Sequence, residues 1–300
     1  MSRRACLAVN KRTLKGELLK RIMNALRRLS YRSEVVALAR SLHLSGLLKG
    51  LYFRWTAPPD RVFRTKIFGI ETLFYGKTPG EWRMLESLPV GEEDFLSALT
   101  STLRPGDVFY DVGSNIGEFV LVLARVVGKQ GQVIAFEPES DNYQRLREHI
   151  TLNELTNVRA FRKALGEMTG KLKLIVEGFR NTQSRLVNSD MATDGDAREV
   201  EVLSGDEIRK AENLPLPQAV KIDVEGFEYS VLKGLRNSLG DPSCRLLCCE
   251  VHPTRLPAPI QSEQVLEFIG VLGFSKIERL QRGTQLHLIC RKRETKHAAA

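Results

Sequence analysis

The sequence predicts an α/β fold: a mostly parallel, seven-stranded sheet with an antiparallel last strand, preceded by a basic helical arm and a small hairpin. Three observations lead there. From residue 107 onward, strand-like and helix-like stretches alternate, which implies parallel strands covered by helices on both faces. The last two strand-like stretches are joined by only a short loop, so they pair antiparallel. A glycine turn, D-V-G-S-N-I-G from Asp111 to Gly117, links the first core strand to the first core helix.

The arm, residues 1–58, has Leu14, Leu18, Leu19, Ile22, Leu26 and Leu29 at helical spacing, with Lys20, Arg21, Arg27 and Arg28 between them. A second, more apolar stretch runs from Val35 to Phe53. No uninterrupted apolar run reaches the roughly 18 residues of a spanning helix, and no signal-peptide pattern is present. An amphipathic pair packed on the domain, a basic helix on an anionic membrane surface and an organellar presequence all stay open for this arm. Residues 59–106 read as a hairpin and a helix leading into the core, with strands at 61–67 and 71–74 around Phe68-Gly69-Ile70. The core follows as strand 107–112, helix 118–127, strand 132–136, helix 141–152 and strand 158–162. After it come strand 219–224, helix 227–236, strand 245–250, helix 262–271 and strands 274–280 and 285–291. Residues 166–218 break the alternation and read as an inserted hairpin on the substrate side, with 170–176 and 199–203 as its strands. A tail, 293–300, follows the fold, and its Ala298–Ala300 end is low in complexity.

Charge is unevenly placed. Residues 1–54 hold 13 Lys/Arg against two acids, so the +9 of the whole chain leaves the remainder at −2. Five cysteines at positions 6, 244, 248, 249 and 290 form no C-x-x-C pair, as expected of free thiols in a reducing cytoplasm. The arm leaves room for peripheral membrane contact.

The glycine turn brings a backbone close to a ligand and stands beside a strand-end carboxylate, Asp111. It lacks the G-x-G-x-x-G of a dinucleotide site, so a ligand with cationic groups fits better, and S-adenosylmethionine carries an ammonium and a sulfonium. Glu137 closes the next strand 20 residues beyond Gly117, where a carboxylate can accept two hydrogen bonds from a ribose diol.

With these motifs in place, the series D-V-G-S-N-I-G (111–117), A-F-E-P-E (135–139), N-V-R-A-F-R-K-A-L-G (157–166), K-I-D-V-E-G-F-E (221–228) and C-E-V-H-P (249–253) resembles the FkbM family of methyltransferases. The resemblance covers roughly residues 104–290, and K-I-D-V-E-G is its most specific element. It implies the class I methyltransferase fold, which is Rossmann-like, S-adenosyl-L-methionine as cofactor, and O-methylation of a hydroxyl on a sugar, glycolipid or secondary metabolite. Ser114 departs from the family's usual alanine, and L-S-G-D (203–206) replaces an L-D-D-like run.

Expected cofactor-binding residues are Asp111, Gly113, Ser114, Asn115, Gly117, Glu137, Ala164 and Asp223, with Lys163 and Leu165 beside Ala164 at the end of the third strand. An alcohol acceptor needs a base to take its proton, worth about 10²–10⁴-fold. Asp223, Glu225, Glu250 and His252 are the candidates, and His252 suits proton abstraction near neutral pH. Alternation on strand 219–224 puts Lys221, Asp223 and Glu225 on one side. Asn181, Gln183 and Ser184 in the insertion are candidate acceptor contacts, and no metal is expected, since Glu250 and His252 alone do not make a site. Two other readings compete: an RNA methyltransferase on the same fold, and a catalytically silent adaptor at a membrane surface. The neutral catalytic part weighs against nucleic acid, and three strand-end carboxylates weigh against a dead site.

Overall fold

The computed structural model describes residues 53–54, 57–86, 88, 92–175, 185–187 and 197–293. Nearly all of the basic arm, Cys6, Asn181, Gln183, Ser184 and the tail after residue 293 lie outside the described residues. The chain divides into two compact units, Met1–Arg64 with Phe74–Leu88, and Thr65–Leu73 with Pro89–Ala300.

A short two-stranded ladder is formed by β1 (Val62–Ile67) and β2 (Ile70–Tyr75). In the smaller unit, helix α1 (Pro79–Leu85) starts at a capping box, with Thr78 and Glu81 satisfying each other's backbone N–H groups. Its Trp82 packs edge-on against Phe53 and Phe63.

The larger unit continues with α2 (Glu93–Thr102), β3 (Val108–Val112), α3 (Glu118–Val127), β4 (Gln132–Phe136), α4 (Ser140–Leu152) and β5 (Val158–Phe161). Next come β6 (Ala164–Gly166), β7 (Gly170–Ile175), β8 (Arg185–Val187), β9 (Ala197–Ser204) and α5 (Gly205–Ala211). It closes with β10 (Ala219–Ile222), α6 (Glu228–Gly234), α7 (Arg236–Gly240), β11 (Leu246–Val251), α8 (Ser262–Val271), β12 (Phe274–Arg282) and β13 (Gln285–Lys292). Seven strands make one sheet in the order β12-β13-β11-β10-β3-β4-β5, parallel except for β13. This is the class I methyltransferase architecture. Strands β3, β10 and β11 are buried along their whole length, as a sheet covered on both faces requires. From β3 the sequence order runs outward through β4 to β5 on one side and through β10 to β11 on the other. A crevice therefore opens at the carboxyl ends of β3 and β10, the usual ligand position in such sheets.

Three expectations are corrected. The insertion is more than a hairpin, because β6, β9, β7 and β8 form a second, four-stranded sheet and α5 follows it. Lys163, Ala164 and Leu165 do not end the third core strand: β5 stops at Phe161, and Ala164 opens β6, which pairs with β9 instead. Strand β10 stops at Ile222 rather than 224, since Glu225 (φ 53°) and Gly226 turn the chain into α6. Asp206, in the divergent L-S-G-D run, is buried and accepts from the backbone N–H groups of Asn237 (2.6 Å) and Ser238 (2.9 Å). It thereby satisfies the start of α7. Among the described residues no helix is long and apolar enough to cross a membrane.

Candidate active site

The turn after β3 is fixed by backbone bonds. Gly113 and Ser114 both donate to the Phe136 carbonyl (3.0 and 3.1 Å), and Ser114 Oγ donates to the Asp111 carbonyl (2.8 Å). Gly113 has φ 84°, and a Cβ there would stand 1.8 Å from the carbonyl oxygen of Asp223. The carboxyl ends of β3 and β10 therefore meet through bare backbone at this point. Asn115 is also left-handed (φ 48°), and Gly117 caps α3.

Glu137 is buried and accepts from the N–H of Asn115 (2.8 Å) and of Glu139 (2.9 Å), one on each oxygen. The Asn142 side chain also hydrogen-bonds this carboxylate, so the two backbone N–H groups are not its sole partners. Burial pushes this carboxyl up to about 7, the two backbone hydrogen bonds pulling the other way.

A cleft of about 590 Å³, open to solvent, lies over the strand ends. It is lined by Gly113, Asn115 and Glu137 on one side and by Asp223 and Glu225 on another. Ala164, Lys163 and Leu165 also line it, as do Leu174 and Leu186 of the second sheet. Asn142 is a lining residue that no sequence pattern marked.

Beneath the cleft, charge is concentrated. Asp111 is 1% exposed and its Oδ1 has no hydrogen-bond partner. Burial raises its carboxyl to about 6, with Lys221 pulling down and Asp223 pushing up. Lys221 is buried, with Nζ 3.3 Å from Asp223 Oδ2 and 4.0 Å from Glu92 Oε2. Loss of solvent also raises Glu92, and raises Glu118 to about 7.

Behind Glu225 stands a second network. His252 Nδ1 meets Glu228 Oε1 at 2.7 Å, and Nε2 meets Glu225 Oε2 at 3.1 Å and Glu250 Oε1 at 3.4 Å. Glu250 Oε2 in turn faces His287 Nε2 (3.3 Å), and His287 Nδ1 faces Asp94 (3.1 Å). Burial opposes the charge on His252. The hydrogen bond to Glu228 and the carboxylates of Glu228, Asp223 and Glu225 outweigh it and push the ring up to about 9. A ring held protonated near neutral pH has no lone pair to offer, which weighs against the expectation that His252 is the base. The Gln285 side-chain amide reaches His252 Nε2 at 3.2 Å. Neither His252 nor Glu250 lines the cleft.

Two triplets, Asp223–Glu225–His252 and Glu92–Asp223–Glu250, bring ligand atoms within 4.8 Å of one another. A protein cation already serves each, the His252 imidazolium or the Lys221 ammonium. Sequence reasoning missed Lys221's contacts, Glu92, Asp94, Glu228, Arg255 and His287. Only Glu228, buried in the quoted K-I-D-V-E-G-F-E run, left a local trace.

The family profile described as the methyltransferase FkbM domain matches residues 111–276. The chain belongs to this family. Its cofactor is S-adenosylmethionine. The hexuronic acid methyltransferase AglP of Haloferax volcanii is 33% identical over 162 residues, 54% of this chain and 63% of that protein. Methyltransferase 1 of Beauveria bassiana is 28% identical over 149 residues, 44% of this chain and 59% of that protein. The chain thus spans less than two thirds of the length of these two relatives. Among solved structures, a precorrin-6y C5,15-methyltransferase of Geobacter metallireducens has a TM-score of 0.42 at 11% identity, covering 69% of this chain and 90% of that one.

The chain's own residues fit an FkbM-family cofactor. Asp111 offers a buried, unpartnered carboxylate oxygen, Gly113 lines the cleft with bare backbone, and carboxylates outnumber cations around Asp111. A ligand bearing an ammonium and a sulfonium suits that excess of negative charge.

Proposed function

We propose that the protein transfers a methyl group to a hydroxyl of a sugar acceptor, hexuronic acids among them, with a carboxylate of the cleft taking the proton. The observation that carries this reading is that one cleft holds both the glycine turn with Glu137 and the carboxylates Asp223 and Glu225. The AglP relative supports a sugar acid as acceptor. When bound, S-adenosylmethionine supplies a methyl already made electrophilic by its sulfonium.

In this reading Asp111 and Asp223 face the ammonium, and Glu137, with Asn142 beside it, holds a ribose hydroxyl. Gly113, Ser114, Asn115 and Gly117 shape the turn, and Ala164 flanks the adenine. Alignment of the acceptor oxygen with the methyl supplies most of the acceleration, since holding two reactants in line is worth about 7–11 kcal/mol. Glu225 is the base. Its Oε2 is held by Arg255 and His252, while Oε1 makes no hydrogen bond among the described residues. His252 and Glu250 position it from behind. Residues 107–292 form the catalytic domain, and the insertion 166–218 makes the acceptor side of the cleft, where Leu174 and Leu186 give an apolar wall suited to a sugar's C–H face.

Calorimetric titration with S-adenosylmethionine tests the cofactor half. The wild type binds, and Asp111→Ala binds about tenfold or more weakly, as expected for losing a hydrogen bond to a charged group. Equal affinities would remove Asp111 from the site. A labelled-methyl assay against uronic acids and neutral sugars tests the acceptor half, and transfer to neither class would sink it.

A further inference from the structure

Lys221 lies in the interior of the central sheet, on β10, directly opposite Asp111 of β3 in the strand register. It is 3% exposed, and its ammonium lies 4.7 Å from the centre of the Phe119 ring. A lysine so buried ordinarily loses its proton, because burial penalises the charged form. This one keeps it: burial opposes the charge, but Glu92, Asp223, Asp111 and Glu250 outweigh burial and raise its basicity. The acids facing it come from every packed element. Asp111 lies on β3, Glu118 on α3, Glu92 before α2, Asp223 after β10 and Glu250 on β11. One cation thus serves five carboxylates, two of which are the proposed partners of the cofactor's ammonium.

We propose that the Lys221 ammonium is the internal counter-charge that keeps Asp111 ionised and, through its contact with Asp223, holds the two carboxylates for the cofactor, and so sets the acid limit of cofactor binding. Lys221 is then a positioning residue, acting through those two carboxylates. The inference rests on S-adenosylmethionine binding as described above.

Removing the ammonium has two opposed effects. It relieves a repulsion against a cationic ligand, which favours binding at alkaline pH. It also leaves Asp111 with burial and Asp223 pushing its carboxyl up and no lysine pulling it down, so Asp111 takes a proton at higher pH. An opposite charge within about 4–6 Å is worth roughly 1–3 pH units to a carboxylate. The second effect therefore decides the outcome near neutrality.

The test is the affinity of the full chain for S-adenosylmethionine, measured by calorimetry from mildly acid to alkaline pH. Wild type, Lys221→Met, Lys221→Gln, Lys221→Arg and Glu92→Gln are compared, with unfolding midpoints recorded alongside. In Lys221→Met the pH at which binding is half lost moves up by about one unit or more, and Lys221→Arg restores it. Glu92→Gln is the control: burial raises that carboxyl to about 8, so it is already largely protonated in the acid range and the midpoint stays in place. Lys221→Gln, which keeps a polar side chain at the site, moves the midpoint up as Lys221→Met does and keeps the inference testable should Lys221→Met not fold. A midpoint unmoved in whichever of the two folds would overturn the role of Lys221. A wild type that binds no cofactor at any pH would instead overturn the cofactor reading itself.

Discussion

Replacing Glu225 by Gln is expected to lower kcat by about 10²–10⁴-fold while leaving S-adenosylmethionine affinity close to wild type. The substitution keeps the shape and removes the proton acceptor. Glu225 is held in left-handed backbone (φ 53°), a conformation that costs a residue with a Cβ about 1–2 kcal/mol. Here the cost places a carboxylate in the wall of the cleft. Burial raises its carboxyl to about 7, His252 and Arg255 pulling down while Asp223 and Glu250 push up. A base must be unprotonated to act, so turnover at saturating cofactor rises as pH passes through about 7 and then levels off. The Glu225→Gln variant loses that limb along with the rate. Initial velocities across pH decide the matter. Undiminished turnover in Glu225→Gln would shift the proton to Asp223, the other carboxylate of the same wall.

The second large effect belongs to Gly113→Ala. Its new Cβ would meet the Asp223 carbonyl oxygen at 1.8 Å, and its φ of 84° is one that L residues rarely adopt. Neither group can yield cheaply, because both are backbone and the Asp223 N–H is bonded to the Val112 carbonyl at 3.0 Å. The expected loss is at least about 2 kcal/mol of stability, together with cofactor binding. Gly106→Ala separates the two causes: φ there is 93°, with nothing within 4 Å of the added Cβ. Denaturant midpoints should fall much further for Gly113→Ala than for Gly106→Ala. Matching midpoints would mean that backbone conformation alone is responsible and that β3 and β10 separate freely at this point.

Much of this was legible in the sequence because it is local. Helix α3 and strand β4 fall on the expected residues, since glycines at 117 and 128 bracket an apolar helix and Glu137-Pro138 closes the strand. The seven core strands could be counted from alternation alone. Glu137 and Asp223 in the wall of the cleft and Asp111 beneath it lie at strand ends, and strand ends are what the motifs mark. What stayed hidden depends on distance along the chain. Asp94 meets His287 from 193 residues away, and no periodicity foretells such a meeting. The charge of His252 is set by Glu228, 24 residues earlier, which a reading of C-E-V-H-P by itself could not supply. Strand β6 escaped notice because three residues, Ala164–Gly166, are too few to show a pattern.

That short strand has a consequence for how such a protein diversifies. Strands β7, β8 and β9 bond to one another, and among the described residues only Ala164, Leu165 and Gly166 join their ladder to the stretch leaving β5. The seven-stranded ladder is complete without them. Residues can be added to or removed from the β7–β8 region without breaking a single bond of the sheet that carries Asp111, Glu137 and Asp223. On the proposed reading, inheritance can therefore hold the grip on the methyl donor constant while the opposite wall drifts, one acceptor giving way to another.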